Sequence, residues 1–327
     1  MNKIIKSFVA IIVSVVIFTA CDNDFDLVTD KVEIPVVYAI INAADTAQYF
    51  RVERAFIDEN ISALDIAQIP DSLYYADAVV TLTRVTTGEA WIMDEVDGNI
   101  EGYPRQDGVF ATAPNTLYKL RTADITLEPE EQYMLTIDIG DNRPQIEATT
   151  VLIKPPFLAT PADEGGLNID PARRFRINWN NNSTNAIYDA YVRLFYDETI
   201  DGVTTPKSID WSLLKNSEIN EIDVLSTGFY DLVGNSLVVD PSITRQQRGA
   251  SFTLISGSIE ISDYIRIGQA NLGITSSGEI PVYEGSLSYG LGLFGSRFTD
   301  LRDDLVLTQL TRDSLSSGPR TGDLGFQ

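Results

Sequence analysis

The sequence predicts a mainly β protein with two β-sandwich domains and a few short helices in the second. Three observations carry this expectation. Short runs alternate apolar and polar side chains and are rich in Val, Ile, Thr, Tyr and Phe. Gly, Asn, Asp and Pro punctuate them. Lys154-Pro155-Pro156 then breaks the pattern near the middle, because paired prolines favour an extended backbone without ladder donors. The chain so divides into residues 33–154, residues 155–315 and a tail, 316–327. The Ser, Gly, Pro and Arg content of the tail predicts fraying.

In the first unit the alternation predicts strands over Ile34–Ile41, Gln48–Phe56, Ala78–Arg84, Ala90–Glu95, Leu117–Arg121, Gln132–Ile139 and Ile146–Leu152. Thr87-Gly88-Glu89 sits between two of these and reads as a hairpin turn. Between Phe56 and Ala76, Ile61-Ser62-Ala63-Leu64-Asp65-Ile66-Ala67 has helical spacing until Pro70 interrupts it, so a short helix and a loop are expected between strands. Short strands with few helical patterns point to an immunoglobulin-like or related sandwich.

In the second unit Phe175–Trp179 alternates with Trp179 inward, and the Tyr-rich run Ala190–Tyr196 forms its expected partner, a fibronectin- or immunoglobulin-like pair. Asp201-Gly202 supplies a turn, and Lys207–Trp211 pairs next. Pro241–Gln247 and Ile261–Leu272 read as helices flanking a strand, Ser251–Ile259. Leu287–Phe294 alternates apolar residues with Ser and Gly, and Leu305–Leu310 closes the sheet.

The amino terminus has a different character. Lys3 and Lys6 precede an unbroken apolar stretch, Phe8–Phe18, too short to span a bilayer and suited to a signal peptide. Phe18-Thr19-Ala20-Cys21 resembles a bacterial lipobox. Residues 1–20 are therefore expected to be removed and Cys21, the one cysteine of the chain, to carry the lipid. Two or more acyl chains, at about 0.8 kcal/mol per buried methylene, make such an anchor stable. Residues 21–32 then read as an acidic tether. Asp22-Asn23-Asp24-Phe25-Asp26 resembles the export signal that sends Bacteroidota lipoproteins to the outer face of the outer membrane.

Removing residues 1–20 takes away two lysines and no acid, which leaves 22 basic and 47 acidic residues and a net charge of −25. That surface repels phosphate backbones, so nucleic acid is not an expected partner. The chain contains no histidine. This excludes Ser-His-Asp and Cys-His nucleophiles and every His-ligated metal site. No cofactor is expected. A hydrolase working with two carboxylates is the enzyme class that survives.

Three kinds of motif remain. Asp97-Gly98-Asn99-Ile100-Glu101-Gly102 imitates the start of a calcium loop, but Gly108 stands where a bidentate Glu is required, so a plain acidic hairpin loop is the expected reading. Tyr74 and Tyr75 follow Pro70-Asp71-Ser72 and are candidates for stacking on sugar rings. Thr46, Ser72 and Ser314 lie in Asp-Ser/Thr triplets that resemble the O-glycosylation signal of exported Bacteroidota proteins; ordinary turn chemistry is the alternative.

Longer stretches are similar to one family. Val36–Asn42, Asp45-Thr46 and Arg51–Phe56 resemble the opening of a family of Bacteroidota outer-membrane lipoproteins of unknown function. Asp263-Tyr264-Ile265-Arg266 and Tyr289–Ser296 resemble its helix and its glycine-rich closing strand. The loop Gly273–Glu284 departs from that pattern. Genes of this family often lie beside TonB-dependent receptors. The resemblance implies a non-catalytic accessory or binding role in uptake at the cell surface and brings no catalytic residues with it. Adhesion to a polysaccharide is the alternative role.

Overall fold

The computed structural model describes residues 32–57, 61–140, 142–162, 166–180, 183–270 and 285–327. Residues 1–31, and with them Cys21 and nearly all of the tether, lie outside these, as does the Gly273–Glu284 loop. Among the described residues no helix is long and apolar enough to cross a membrane.

The first half holds β1 (Val32–Ile41), β2 (Ala47–Ile57), short helices α1 (Ala63–Ala67) and α2 (Pro70–Leu73), β3 (Val79–Arg84), β4 (Glu89–Ile92), β5 (Asp94–Asp97), β6 (Thr116–Arg121), β7 (Gln132–Asp138) and β8 (Ile146–Val151). The expected strands are present, with one refinement. Ala90–Glu95 is split at Met93, whose side chain is buried: β4 pairs with β3 in one sheet and β5 with β6 in the other. The two sheets, β5-β6-β2-β1 and β4-β3-β7-β8, face each other across a core that includes Val37, Phe50, Val80, Leu82, Tyr133 and Leu135. Their strands alternate, as β7 does, because only every second side chain enters the core. α1 forms where expected. The Ser62 hydroxyl caps its first turn by accepting from the Leu64 amide at 3.3 Å, and Pro70 opens α2.

The second half holds β9 (Gly166–Leu167), β10 (Arg174–Asn178), β11 (Ile187–Ile200), β12 (Val203–Ser217), β13 (Glu221–Leu225), α3 (Thr227–Ser236), β14 (Thr244–Gly257), α4 (Ile259–Ala270), β15 (Leu291–Leu307) and α5 (Gln309–Ser317). The β10–β13 sheet packs against β12-β11-β14-β15 over a second core built on Trp179, Tyr188, Trp211, Phe229 and Phe252. The fold is mainly β, with two sandwiches and few helices.

Four expectations need correction. β10 pairs with β13, not with β11; Trp179 does point inward, but it meets Tyr188 across the core, ring centroids 5.2 Å apart. Pro241–Gln247 is not a helix. Asp240 accepts from the Ser242 amide and hydroxyl to make a turn, and β14 begins at Thr244 so that Arg245 can turn inward. Leu305–Leu310 is only partly strand: Thr308 caps α5, whose Thr311 and Leu315 are buried. The tail is not frayed. Leu324 and Phe326 are buried, Phe326 packs on Tyr196 at 5.7 Å, and the Arg245 amide and carbonyl bond Gly325 and Gln327. Two apolar side chains two residues apart outweigh the polar composition around them.

One strand joins the halves. Residues 291–296 of β15 run parallel to β1, and residues 297–305 run antiparallel to β14, giving one sheet in the order β12-β11-β14-β15-β1-β2-β6-β5. Phe294 lies in the first core, and Leu305 and Leu307 lie in the second. At Gly292, φ is 127°, and a Cβ would collide with the Val37 carbonyl oxygen, so this close approach needs glycine.

Candidate functional site

The outward face of β2 is the best candidate. Gln48, Phe50 and Val52 turn inward and are buried, which sends Tyr49, Arg51 and Glu53 to the other face. Lys119 of β6 stands opposite Tyr49 in the ladder. The segment between β5 and β6 folds back over this face. Its turn is set by Asp97, whose Oδ1 accepts from the Asn99 amide at 2.9 Å, and is closed by Tyr103 N to Gly98 O at 2.8 Å.

Folding back brings the two segments into contact. The Tyr103 ring comes within 4.7 Å of the Tyr49 ring. The Tyr49 hydroxyl and the Lys119 ammonium both donate to Glu101, at 2.7 and 2.5 Å. Arg105 pairs with Glu53, which also accepts from Arg51 at 2.8 Å. The Arg105 guanidinium lies 5.5 Å from the centre of the Phe110 ring. The result is a shelf of aromatic faces and guanidinium groups on an acidic protein. Further along the sheet Tyr38 of β1, 43 % exposed, meets Tyr264 of α4 edge-on at 6.3 Å.

Electrostatics follow the same contacts. Lys119, and then Tyr49, hold the Glu101 carboxyl below its ordinary value, and Glu101 in turn raises Lys119. Burial, reinforced by the bond to Glu101, raises the Tyr49 phenol. Burial and then the Tyr264 hydroxyl push Tyr38 up to about 12. These phenols stay neutral at physiological pH and can donate hydrogen bonds. A glycosidase acid needs a raised carboxyl; Glu101 is shifted the opposite way.

The two tyrosines singled out in the sequence part company. Tyr74 is half-buried, donates to the Pro114 carbonyl at 3.1 Å and has Arg105, Glu53 and Arg51 as charged neighbours, so it borders the shelf. Tyr75 does not serve as a stacking platform. It is 6 % exposed, and the guanidiniums of Arg54 and Arg143 lie over its ring at 5.6 and 5.7 Å. Both arginines pair with Glu33, at 3.6 and 2.8 Å. Burial pushes the Tyr75 phenol up to about 12.

Thr46 is exposed in the turn between β1 and β2. Ser72 is half-buried in α2. Ser314 lies in α5, and its hydroxyl donates to the Leu310 carbonyl at 2.7 Å. Cys21 lies outside the described residues. Trp179 and Trp211 are core residues. Among the described residues no group of three or more His, Cys, Asp or Glu side chains is placed to hold a metal ion.

Sequence reasoning missed Tyr49, Arg51, Tyr103 and Arg105 as a set. Alternation along 48–53 signals that Tyr49, Arg51 and Glu53 share a face. Nothing local signals that the chain 50 residues later returns to cover it.

The chain matches no family model and no curated protein. Among solved structures it is similar to the chicken interferon gamma receptor alpha chain, at 10 % identity over 68 % of this chain and 88 % of that one. The TM-score is 0.18, too low for the likeness to carry an argument.

Proposed function

We propose that the protein is a lipid-anchored, non-catalytic binding lipoprotein of the outer membrane, facing the cell exterior, and an accessory subunit of a TonB-dependent uptake system. The observation that carries the binding role is the shelf of Tyr49, Tyr103, Arg51 and Arg105. Aromatic and arginine side chains are the types enriched at protein interfaces, where they bury large faces and form forked hydrogen bonds. The lipobox and the acidic run after Cys21 support the address, and the family resemblance supports the transporter as partner.

A photo-crosslinking amino acid at position 103 in growing cells tests this reading. Crosslinks to an outer-membrane β-barrel are expected. Crosslinks to no protein would count against it. A second reading rests on Tyr103, which is 54 % exposed beside Tyr49 and offers its ring to a sugar face. Binding to a glycan array that is lost in Tyr103→Ala would favour polysaccharide recognition instead.

A further inference from the structure

Large apolar side chains exposed singly are ordinary on a folded protein, whereas a cluster of them marks a contact surface. One such cluster stands beside the shelf. Ile61, Leu64 and Ile69 around α1 are 46 %, 62 % and 45 % exposed, and Val109 and Phe110 are 50 % and 49 % exposed. The two segments abut: the Ala111 amide donates to the Ala67 carbonyl at 2.8 Å, and the Gln68 side chain bonds the carbonyls of Gly108 and Val109. Neither segment belongs to a sheet, so this ridge is not needed to close the sandwich.

Its position decides what it meets. Arg54 Nε donates to the Ser72 carbonyl at 2.8 Å, and the same guanidinium pairs with Glu33 at 3.6 Å. The insertion is therefore tied to the beginning of β1, where the tether enters the fold. Glu33 lies twelve residue steps along the chain from Cys21. Fully extended they reach at most about 40 Å. A lipid on Cys21 keeps this end of the molecule within that distance of the bilayer.

We infer that the ridge of Ile61, Leu64, Ile69, Val109 and Phe110 rests in the lipid surface itself, as a second and weaker membrane contact that orients the protein on its tether. The inference rests on lipidation of Cys21. Apolar side chains entering the boundary between headgroups and acyl chains suit an anionic protein, since they need no attraction to lipid charge. With the tether they limit rotation and hold the neighbouring shelf at the height of a membrane-embedded partner.

The sole native cysteine allows a clean test. The full lipoprotein carrying Leu64→Cys, labelled with the polarity-sensitive dye NBD, is reconstituted into vesicles of phosphatidylethanolamine and phosphatidylcholine. A Val203→Cys control carries the label at the exposed start of β12. Co-flotation reports the anchor and NBD emission reports the ridge. The expected result is co-flotation of both proteins, with blue-shifted emission quenched by brominated acyl chains at position 64 only. Ile61→Asp with Ile69→Asp should abolish the shift and leave flotation intact; both side chains are exposed, and an unchanged thermal midpoint will check folding. Water-like emission at position 64 in a protein that floats would overturn the inference and leave the anchor standing. Failure to float would overturn both. A shift that appears only after a β-barrel protein is added would overturn the lipid contact in favour of a protein one.

Discussion

Ser258 and Ser296, both buried, hold each other at the point where β15 changes partners: the Ser296 amide donates to Ser258 Oγ at 3.1 Å and the Ser258 amide to the Ser296 carbonyl at 2.9 Å. The Ser296 hydroxyl donates to the Val151 carbonyl at 2.6 Å and accepts from the Ile153 amide at 3.2 Å. The end of β8, the start of α4 and the middle of β15 so meet on one residue. Ser296→Ala leaves the buried Ile153 amide and the part-buried Val151 carbonyl without these partners. It should lower stability by about 1–3 kcal/mol. Urea unfolding monitored by tryptophan fluorescence will measure this. Because β15 serves both cores, a single transition is expected in the wild-type protein.

Gly292 offers a sharper test of the shared strand. Alanine there would need φ of 127° and would meet the Val37 carbonyl oxygen. A loss of about 3 kcal/mol or more is expected, since strain in this region alone costs about 1–3 kcal/mol. The same denaturation experiment reads it, and a change below about 0.5 kcal/mol, the range of neutral surface substitutions, would contradict the register.

The tail should behave as core. Phe326→Ala opens a cavity beside Tyr196 and is expected to cost about 3–5 kcal/mol, read as a lower denaturation midpoint. A frayed tail would tolerate the change.

Acid should weaken the same region. Glu198 is buried and is held below the ordinary glutamate value by Lys207 first and then by Arg245. Arg245 is also buried, and its Nε donates to Glu198 at 2.9 Å. A depressed carboxyl contributes stability that is fully present above the unfolded-state value near 4.5 and is lost as pH falls through the lower folded value. Thermal midpoints measured from pH 6 downward should therefore fall below about pH 4.5, and Glu198→Gln, less stable at pH 6, should lose part of that acid dependence.

Much of the first sandwich is legible in the sequence, because strands such as β7 put alternate side chains into one core and the period of two is undiluted. The second half is harder to read. Arg245 hides β14 behind a polar start, since its charge is paired with Glu198 from a strand 47 residues away. α3 is masked by Gly228 and Gly234, which helical periodicity discounts. The shelf is legible only in part for the same reason: alternation exposes Tyr49, Arg51 and Glu53, but Tyr103 and Arg105 join them through a long return of the chain. Tyr75 looked available because it follows a proline turn. The arginines that cover it come from β2 and from the β7–β8 connection.

Tyr75 and Tyr103 should accordingly separate stability from binding. Tyr75→Phe removes a buried hydroxyl that has no hydrogen-bond partner among the described residues and should leave stability within about 1 kcal/mol, with partner recovery unchanged. Tyr103→Ala should leave the thermal midpoint within a few degrees and weaken partner recovery.

Affinity purification of the tagged lipoprotein after mild detergent extraction tests the central claim most directly. The account predicts that a β-barrel transporter is recovered with the wild-type protein and is reduced or lost with Tyr103→Ala and with Arg51→Glu, while both variants stay folded and membrane-bound. Recovery of the wild-type protein alone under several detergents, or equal recovery of the barrel with both variants, would contradict it.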